Sequence, residues 1–182
     1  AKDYVVQGDI SSQFITGFMF VLPLLDQDST LTITEPYESK SYVNLTIQML
    51  AKFGIEILET SSNSYLIKGN QHYKAQDVSV EGDFSQLAFF AVLGTLNNTL
   101  SCSNMDMLSK QGDKAILDCI PSFTSDKDTI TFTKKQPVPQ TIDLSNCPDL
   151  GPILCVLASF TNGETNIVNA ARLRMKESDR IL

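Results

Sequence analysis

Four short segments place hydroxyls, amides, cations or carboxylates where an extended stretch turns into a helix. Gly8-Asp9-Ile10-Ser11-Ser12-Gln13 is the first. Unpaired N–H groups at a helix start attract anions, and two serine hydroxyls and a glutamine amide add donors. The segment suits a phosphate, or Ser11 or Ser12 simply caps the helix. Arg172-Leu173-Arg174-Met175-Lys176-Glu177-Ser178-Asp179-Arg180 is the second, with four cations and two carboxylates in nine residues. Alternation puts Arg172, Arg174 and Lys176 on one face if a strand continues there. Such a row fits a polyanionic ligand, or a solvated edge strand with salt-bridged neighbours. In Asn146-Cys147-Pro148-Asp149-Leu150-Gly151-Pro152 a rigid turn holds Asp149 near a helix start. There the helix dipole favours a carboxylate, serving as a cap or as a fixed general base. Glu38-Ser39-Lys40-Ser41-Tyr42 offers hydroxyls and one cation before a helix, with Ser39 or Ser41 as alternative caps.

The elements that must position these groups follow from periodicity. A strand ends at Val5-Val6, and an apolar helix is expected over 13–25. Alternation over 30–34 predicts a strand. Val43, Ile47 and Leu50 share one face of a helix over 42–53, and Gly54 stands at its C-terminal cap. The stretches 55–58 and 65–68 form a hairpin around Ser61-Ser62-Asn63-Ser64. The order then repeats: strands at 78–80, 99–103 and 129–133, with helices over 85–96 and 113–120. A third round has strands at 141–144 and 165–168 around a helix over 150–160. Val80-Glu81-Gly82-Asp83-Phe84-Ser85-Gln86 echoes the segment around Gly8, with the two Gly-Asp pairs 74 residues apart. That period is too long for common solenoids and fits a duplicated βαβαββ unit. Polar, aperiodic residues 69–77 are the expected crossing between two domains. Ser178 reads as the cap of a final helix, so the chain is expected to be an internal piece of something longer.

Composition narrows the classes. The chain has 182 residues, 42% apolar and 19% charged, which is ordinary for a globular protein. Ten Phe and no Trp supply aromatic core. No apolar run reaches the roughly 18 residues of a membrane span. A net charge of −7 argues against a general nucleic-acid binder. The four cysteines, Cys102, Cys119, Cys147 and Cys155, show no CxxC pair and read as reduced, buried thiols. His72, the single histidine, has no cysteine near it, so no zinc site is expected.

Five segments in this order resemble the 5-enolpyruvylshikimate-3-phosphate synthase family. They are Gly8-Asp9-Ile10-Ser11-Ser12-Gln13-Phe14, Val80-Glu81-Gly82-Asp83-Phe84-Ser85-Gln86, Gln111-Gly112-Asp113, Cys147-Pro148-Asp149 and Arg174-Met175-Lys176-Glu177-Ser178-Asp179-Arg180. The resemblance implies an α/β fold of repeated βαβαββ units with helices inside and sheets outside. Residues 1–75 would be the last unit of a first domain, and residues 76–182 the first part of a second. It implies transfer of the enolpyruvyl group of phosphoenolpyruvate to the 5-hydroxyl of shikimate 3-phosphate, without metal or organic cofactor. The parent would be a monomeric cytoplasmic enzyme that binds neither nucleic acid nor membrane.

Carried over by position, Ser11 and Ser12 would hold the phosphate of shikimate 3-phosphate. Gln13 would contact both substrates, and Ser39 and Tyr42 would belong to the shikimate pocket. Asp149 would accept the 5-hydroxyl proton, Lys176 would bind shikimate 3-phosphate, Glu177 would serve proton transfer at the methylene carbon, and Arg180 would bind phosphoenolpyruvate. Two positions depart from the family. Arg172 falls near a pocket asparagine, and Ser41 stands where many members carry proline. The family's N-terminal lysine loop, a first-domain arginine and the C-terminal arginine and lysine have no counterpart here. The chain is therefore expected to turn over little alone, and a non-catalytic anion-binding fragment is the alternative. The sister enzyme acting on UDP-N-acetylglucosamine is disfavoured, because no cysteine lies in a Gly-rich loop.

Overall fold

The computed structural model describes residues 2–176 and 178–182. Its contacts divide the chain into two compact units, one ending at Ser79 and the next beginning at Val80.

In the first unit, β1 (Lys2–Gln7), α1 (Ser12–Val21), β2 (Ser29–Thr34), α2 (Lys40–Lys52), β3 (Ile57–Ser61) and β4 (Ser64–Ile67) follow one another as βαβαββ. The sheet order is β1-β2-β4-β3. β1 runs parallel to β2, in register from Lys2↔Ser29 to Gln7↔Thr34, and β4 is antiparallel to both β2 and β3. A parallel pair needs a crossover, and α1 provides it. Alternation buries Ser29, Leu31 and Ile33 on one face of β2. Against them pack Ile15 and Met19 of α1, Val43 and Leu50 of α2, and Tyr65 and Ile67 of β4. Each such side chain contributes about 1.5–3 kcal/mol when fully buried. The first helix is shorter than its apolar run, because Pro23 cannot continue the α ladder; Leu22–Leu24 form a 3₁₀ turn instead. The polar stretch after β4 is tied back to this unit. Gln71 N–H reaches Pro23 O at 2.8 Å, Lys74 N–H reaches Phe53 O at 2.8 Å, and the Tyr73 hydroxyl reaches Phe20 O at 2.8 Å.

The second unit holds α3 (Phe84–Leu96), β5 (Leu100–Cys102), the short α4 (Ile116–Cys119) entered through a 3₁₀ turn at Gly112–Ala115, β6 (Phe123–Asp126) and β7 (Thr129–Phe132). Its order β5-β7-β6 repeats the β2-β4-β3 order of the first unit. Then come β8 (Thr141–Asp143), a 3₁₀ turn (Pro148–Leu150), α5 (Gly151–Ser159) and β9 (Asn166–Val168), with β8 and β9 parallel. Phe84, Ile116, Ile130, Phe132, Leu150, Leu154 and Leu173 are among the residues of one shared core.

Four expectations are corrected. Residues 78–80 form no strand; Val80 is exposed and lacks a sheet face to bury it. The cationic row is not a strand either, since Ala171–Met175 is a 3₁₀ turn that points Leu173 inward. No helix follows Ser178, because Arg180 N–H bonds back to Leu173 O at 3.0 Å. Cys155 is exposed, whereas Cys147 is buried and Cys102 and Cys119 are half-buried. Burial pushes the Cys147 thiol up to about 12 and Cys119 to about 11.

Candidate functional site

In the first unit the parallel pairing of β1 and β2 delivers both candidate segments to one sheet end. Glu38 N–H bonds Gly8 O at 3.2 Å, joining the turn after β1 to the loop after β2. Glycine is required at this approach, since a Cβ on Gly8 would sit 2.7 Å from Pro36 O and still closer to Thr34 O. Ser11 is the N-cap of α1, its Oγ accepting the Gln13 N–H at 3.2 Å. Ser12 opens the helix, and its first turn holds no acidic residue. The capping role and the anion-attracting role are therefore compatible: a neutral hydroxyl caps, and no carboxylate stands in the first turn of the helix.

Ser39 precedes α2 in a left-handed conformation, φ 56° and ψ 31°, and is 1% exposed. Its side chain makes no capping bond to the helix. A non-glycine residue there costs on the order of 1–2 kcal/mol, so the surrounding loop must hold it. Tyr37 is the residue that sequence reasoning missed. Its hydroxyl shares a 3.0 Å hydrogen bond with the buried Tyr65, and burial pushes its pKa far above the ordinary value. Lys40 lies 5.7 Å from the Tyr37 ring centroid, bonds Glu59 at 2.6 Å and bonds Ser62 O at 2.8 Å. Those contacts turn the one cation of this segment to the hairpin. Tyr42 stands in the first turn of α2, its N–H bonded to Ser39 O at 3.1 Å.

In the second unit Asp149 sits in the 3₁₀ turn that opens α5. β8 leads into that turn through Asp143, whose carboxylate takes the Ser145 hydroxyl at 2.6 Å and N–H at 2.8 Å. Those bonds and one from Asn169 hold Asp143 below the usual carboxylate range. Two cations from the last segment converge on a single oxygen: Lys176 Nζ lies 3.1 Å, and Arg180 Nη1 3.2 Å, from Asp149 Oδ1. Asp149 is 35% exposed at its side chain, Lys176 24% and Arg180 27%. These three charges are partly exposed, so water screens their attraction. Arg174 instead pairs with Asp179 at 2.8 Å. Glu177 lies outside the described residues. Among the described residues no group of three His, Cys, Asp or Glu could hold a metal ion, and no helix is long and apolar enough to cross a membrane.

A family model described as EPSP synthase (3-phosphoshikimate 1-carboxyvinyltransferase) matches residues 1–182. The chain belongs to the EPSP synthase family. A 3-phosphoshikimate 1-carboxyvinyltransferase of Clostridium kluyveri is 48% identical over 98% of this chain and 43% of its own length. One from Clostridium acetobutylicum is 51% identical over 96% of this chain and 41% of its own. The chain thus spans less than half the length of these EPSP synthase relatives. Among solved structures, EPSP synthase from Acinetobacter baumannii covers 99% of this chain with a TM-score of 0.75 at 19% identity, using 43% of its own chain. The enolpyruvyl transferase NikO from Streptomyces tendae covers 90% with a TM-score of 0.70 at 15% identity, again using 43% of its own chain. The fold is therefore the α/β fold of EPSP synthases and enolpyruvyl transferases.

Proposed function

We propose that this chain serves the transfer of the enolpyruvyl group of phosphoenolpyruvate to the 5-hydroxyl of shikimate 3-phosphate, giving 5-enolpyruvylshikimate 3-phosphate and phosphate. The convergence of Lys176 and Arg180 on Asp149, in a chain of this family, carries the reading. The 5-hydroxyl oxygen adds to C2 of phosphoenolpyruvate while Asp149 accepts the hydroxyl proton and the C3 methylene gains one. A C3 proton then leaves, the C2–O bond to phosphate breaks, and the new enol ether remains. Glu177 would move the C3 proton. Lys176 and Arg180 hold anionic groups beside the base, so charge is met by fixed cations as it develops.

Ser11 and Ser12 would hold the phosphate of shikimate 3-phosphate, Gln13 would contact both substrates, and Ser39 and Tyr42 would belong to the shikimate pocket. Residues 1–75 would be the last unit of a first domain, and residues 76–182 the first part of a second. The route draws on side chains alone and acts in the cytoplasm, with these two small substrates as partners and neither nucleic acid nor membrane. The stretch seen here supplies binding and proton-transfer groups, and the remaining length of the relatives supplies the rest of the phosphoenolpyruvate clamp.

The test is calorimetric titration with shikimate 3-phosphate beside an Asp149→Asn, Lys176→Ala double variant. Weaker binding by the variant is expected. Equal binding by both would remove Asp149 and Lys176 from the site.

A further inference from the structure

The cations around Asp149 are sorted, and a neighbouring carboxylate does the sorting. Leu173 is 4% exposed and anchors the last segment; a Cβ on Gly151 would lie 2.7 Å from one of its methyls. From Leu173 the chain leaves the 3₁₀ turn in extended form at Lys176, with ψ −169°, and returns where Arg180 N–H bonds Leu173 O at 3.0 Å. The Asp179 carboxylate spans this loop. Oδ2 lies 2.8 Å from Arg174 Nη1, and Oδ1 accepts the Ile181 N–H at 2.9 Å. Those two donors hold it below the usual carboxylate range, the Ile181 N–H foremost. Arg174, Lys176 and Arg180 carry like charge and repel one another, and Lys176 and Arg180 share one oxygen of Asp149.

We propose that Asp179 is a positioning residue, which occupies Arg174 and ties the chain at Ile181 so that Lys176 and Arg180 meet at Asp149. The functional meaning of this rests on the reading of those three residues as substrate-handling groups. The placement itself can be tested without any substrate.

The readout is the Arg180 Nε–Hε signal in nitrogen-15 NMR of the ligand-free chain, together with the rotation rate of its guanidinium. Asp149→Asn should shift that signal and speed rotation. Asp179→Ala should reproduce the change although residue 149 is untouched. Asp179→Asn, which keeps an oxygen for Ile181 N–H but loses the charge facing Arg174, should give a partial shift. Asp126→Asn in β6 should give none. If Asp179 had only a structural role, its loss would lower the unfolding temperature and leave the Arg180 signal of the folded protein in place; that result overturns the proposal. So does an Arg180 signal that ignores Asp149→Asn. Should Asp179→Ala fail to fold, Asp179→Asn carries the test on the same criterion. An Arg180 signal that behaves as expected, in a chain whose binding of shikimate 3-phosphate is unchanged by Asp149→Asn, overturns the functional reading and leaves the positioning intact.

Discussion

The same Gly-Asp opening leads into two helices and is finished in two ways. At Gly82-Asp83, α3 begins at once: Asp83 Oδ1 takes the Ser85 N–H at 2.8 Å, and Gln111 Oε1 takes the Phe84 N–H at 2.8 Å. Gln111 is itself fixed, donating to Glu81 at 2.9 Å and to Gly82 O at 2.9 Å. At Gly8-Asp9 the helix starts later, so Ser11 is the cap. One helix start is thus closed by a carboxylate and an amide, and the other is capped by a neutral hydroxyl. A carboxylate at a helix N-terminus uses the attraction that an anionic ligand would otherwise receive. Under the proposed function the turn is structural at Gly82-Asp83 and available for binding at Gly8-Asp9, with the identity of the capping side chain as the switch.

The largest effect should come from the feature the two openings share. Gly8→Ala drives a Cβ into two backbone oxygens and should cost about 2–3 kcal/mol. Gly82→Ala meets Asn104 O at 2.6 Å and the Met105 sulfur at 2.5 Å, and the thioether can swing aside. It should cost less in a denaturant melt; an equal or greater loss would break the comparison. Ser11→Asp should keep the cap and weaken shikimate 3-phosphate binding about tenfold, or roughly 1.4 kcal/mol, by placing a carboxylate where α3 has one. Unchanged affinity in a titration would show that the charge of the cap is irrelevant.

Asp83→Ala should cost about 1 kcal/mol, and Ser11→Ala less, by thermal unfolding. The smallest effect concerns acid. Asp28 in the first unit is held below the carboxylate range by Lys68 and the Gly69 N–H, and Asp143 in the second by Ser145 and Asn169. Depressed folded values mean each contributes stability above the ordinary carboxylate pKa and loses it as pH falls through the lowered folded value. Asp28→Asn and Asp143→Asn should therefore each lower the unfolding temperature at neutral pH, with the difference from wild type shrinking below about pH 4. A difference that persists in acid would assign the effect to packing.

Much of the fold was legible in the residues because its periodicities are local. The alternation of β2 and the apolar spacing of α2 appear where expected, and so does the hairpin around Ser62-Asn63. Failures came where local pattern met a tertiary demand. Arg172, Arg174 and Lys176 alternate as a strand would, yet burial of Leu173 curls that stretch into a 3₁₀ turn. Phe123–Asp126 is polar at three of four positions and was recognisable as β6 only by its pairing with β7. The left-handed Ser39 had no signal in its own residue type; the Tyr37–Tyr65 bond that holds its loop joins residues 28 apart.

For the candidate site, residue types alone determined that a serine-rich turn, a turn aspartate and a cationic segment exist and in what order. Helix caps, turns and apolar faces depend on neighbours a few residues apart, so they can be read from the chain directly. Which cation meets which carboxylate was decided only by tertiary structure. Arg180 reaches Asp149 across 31 residues, and Arg174 is diverted to Asp179, because the chain's path around Leu173 sets the distances and Coulomb attraction acts on distance rather than on sequence.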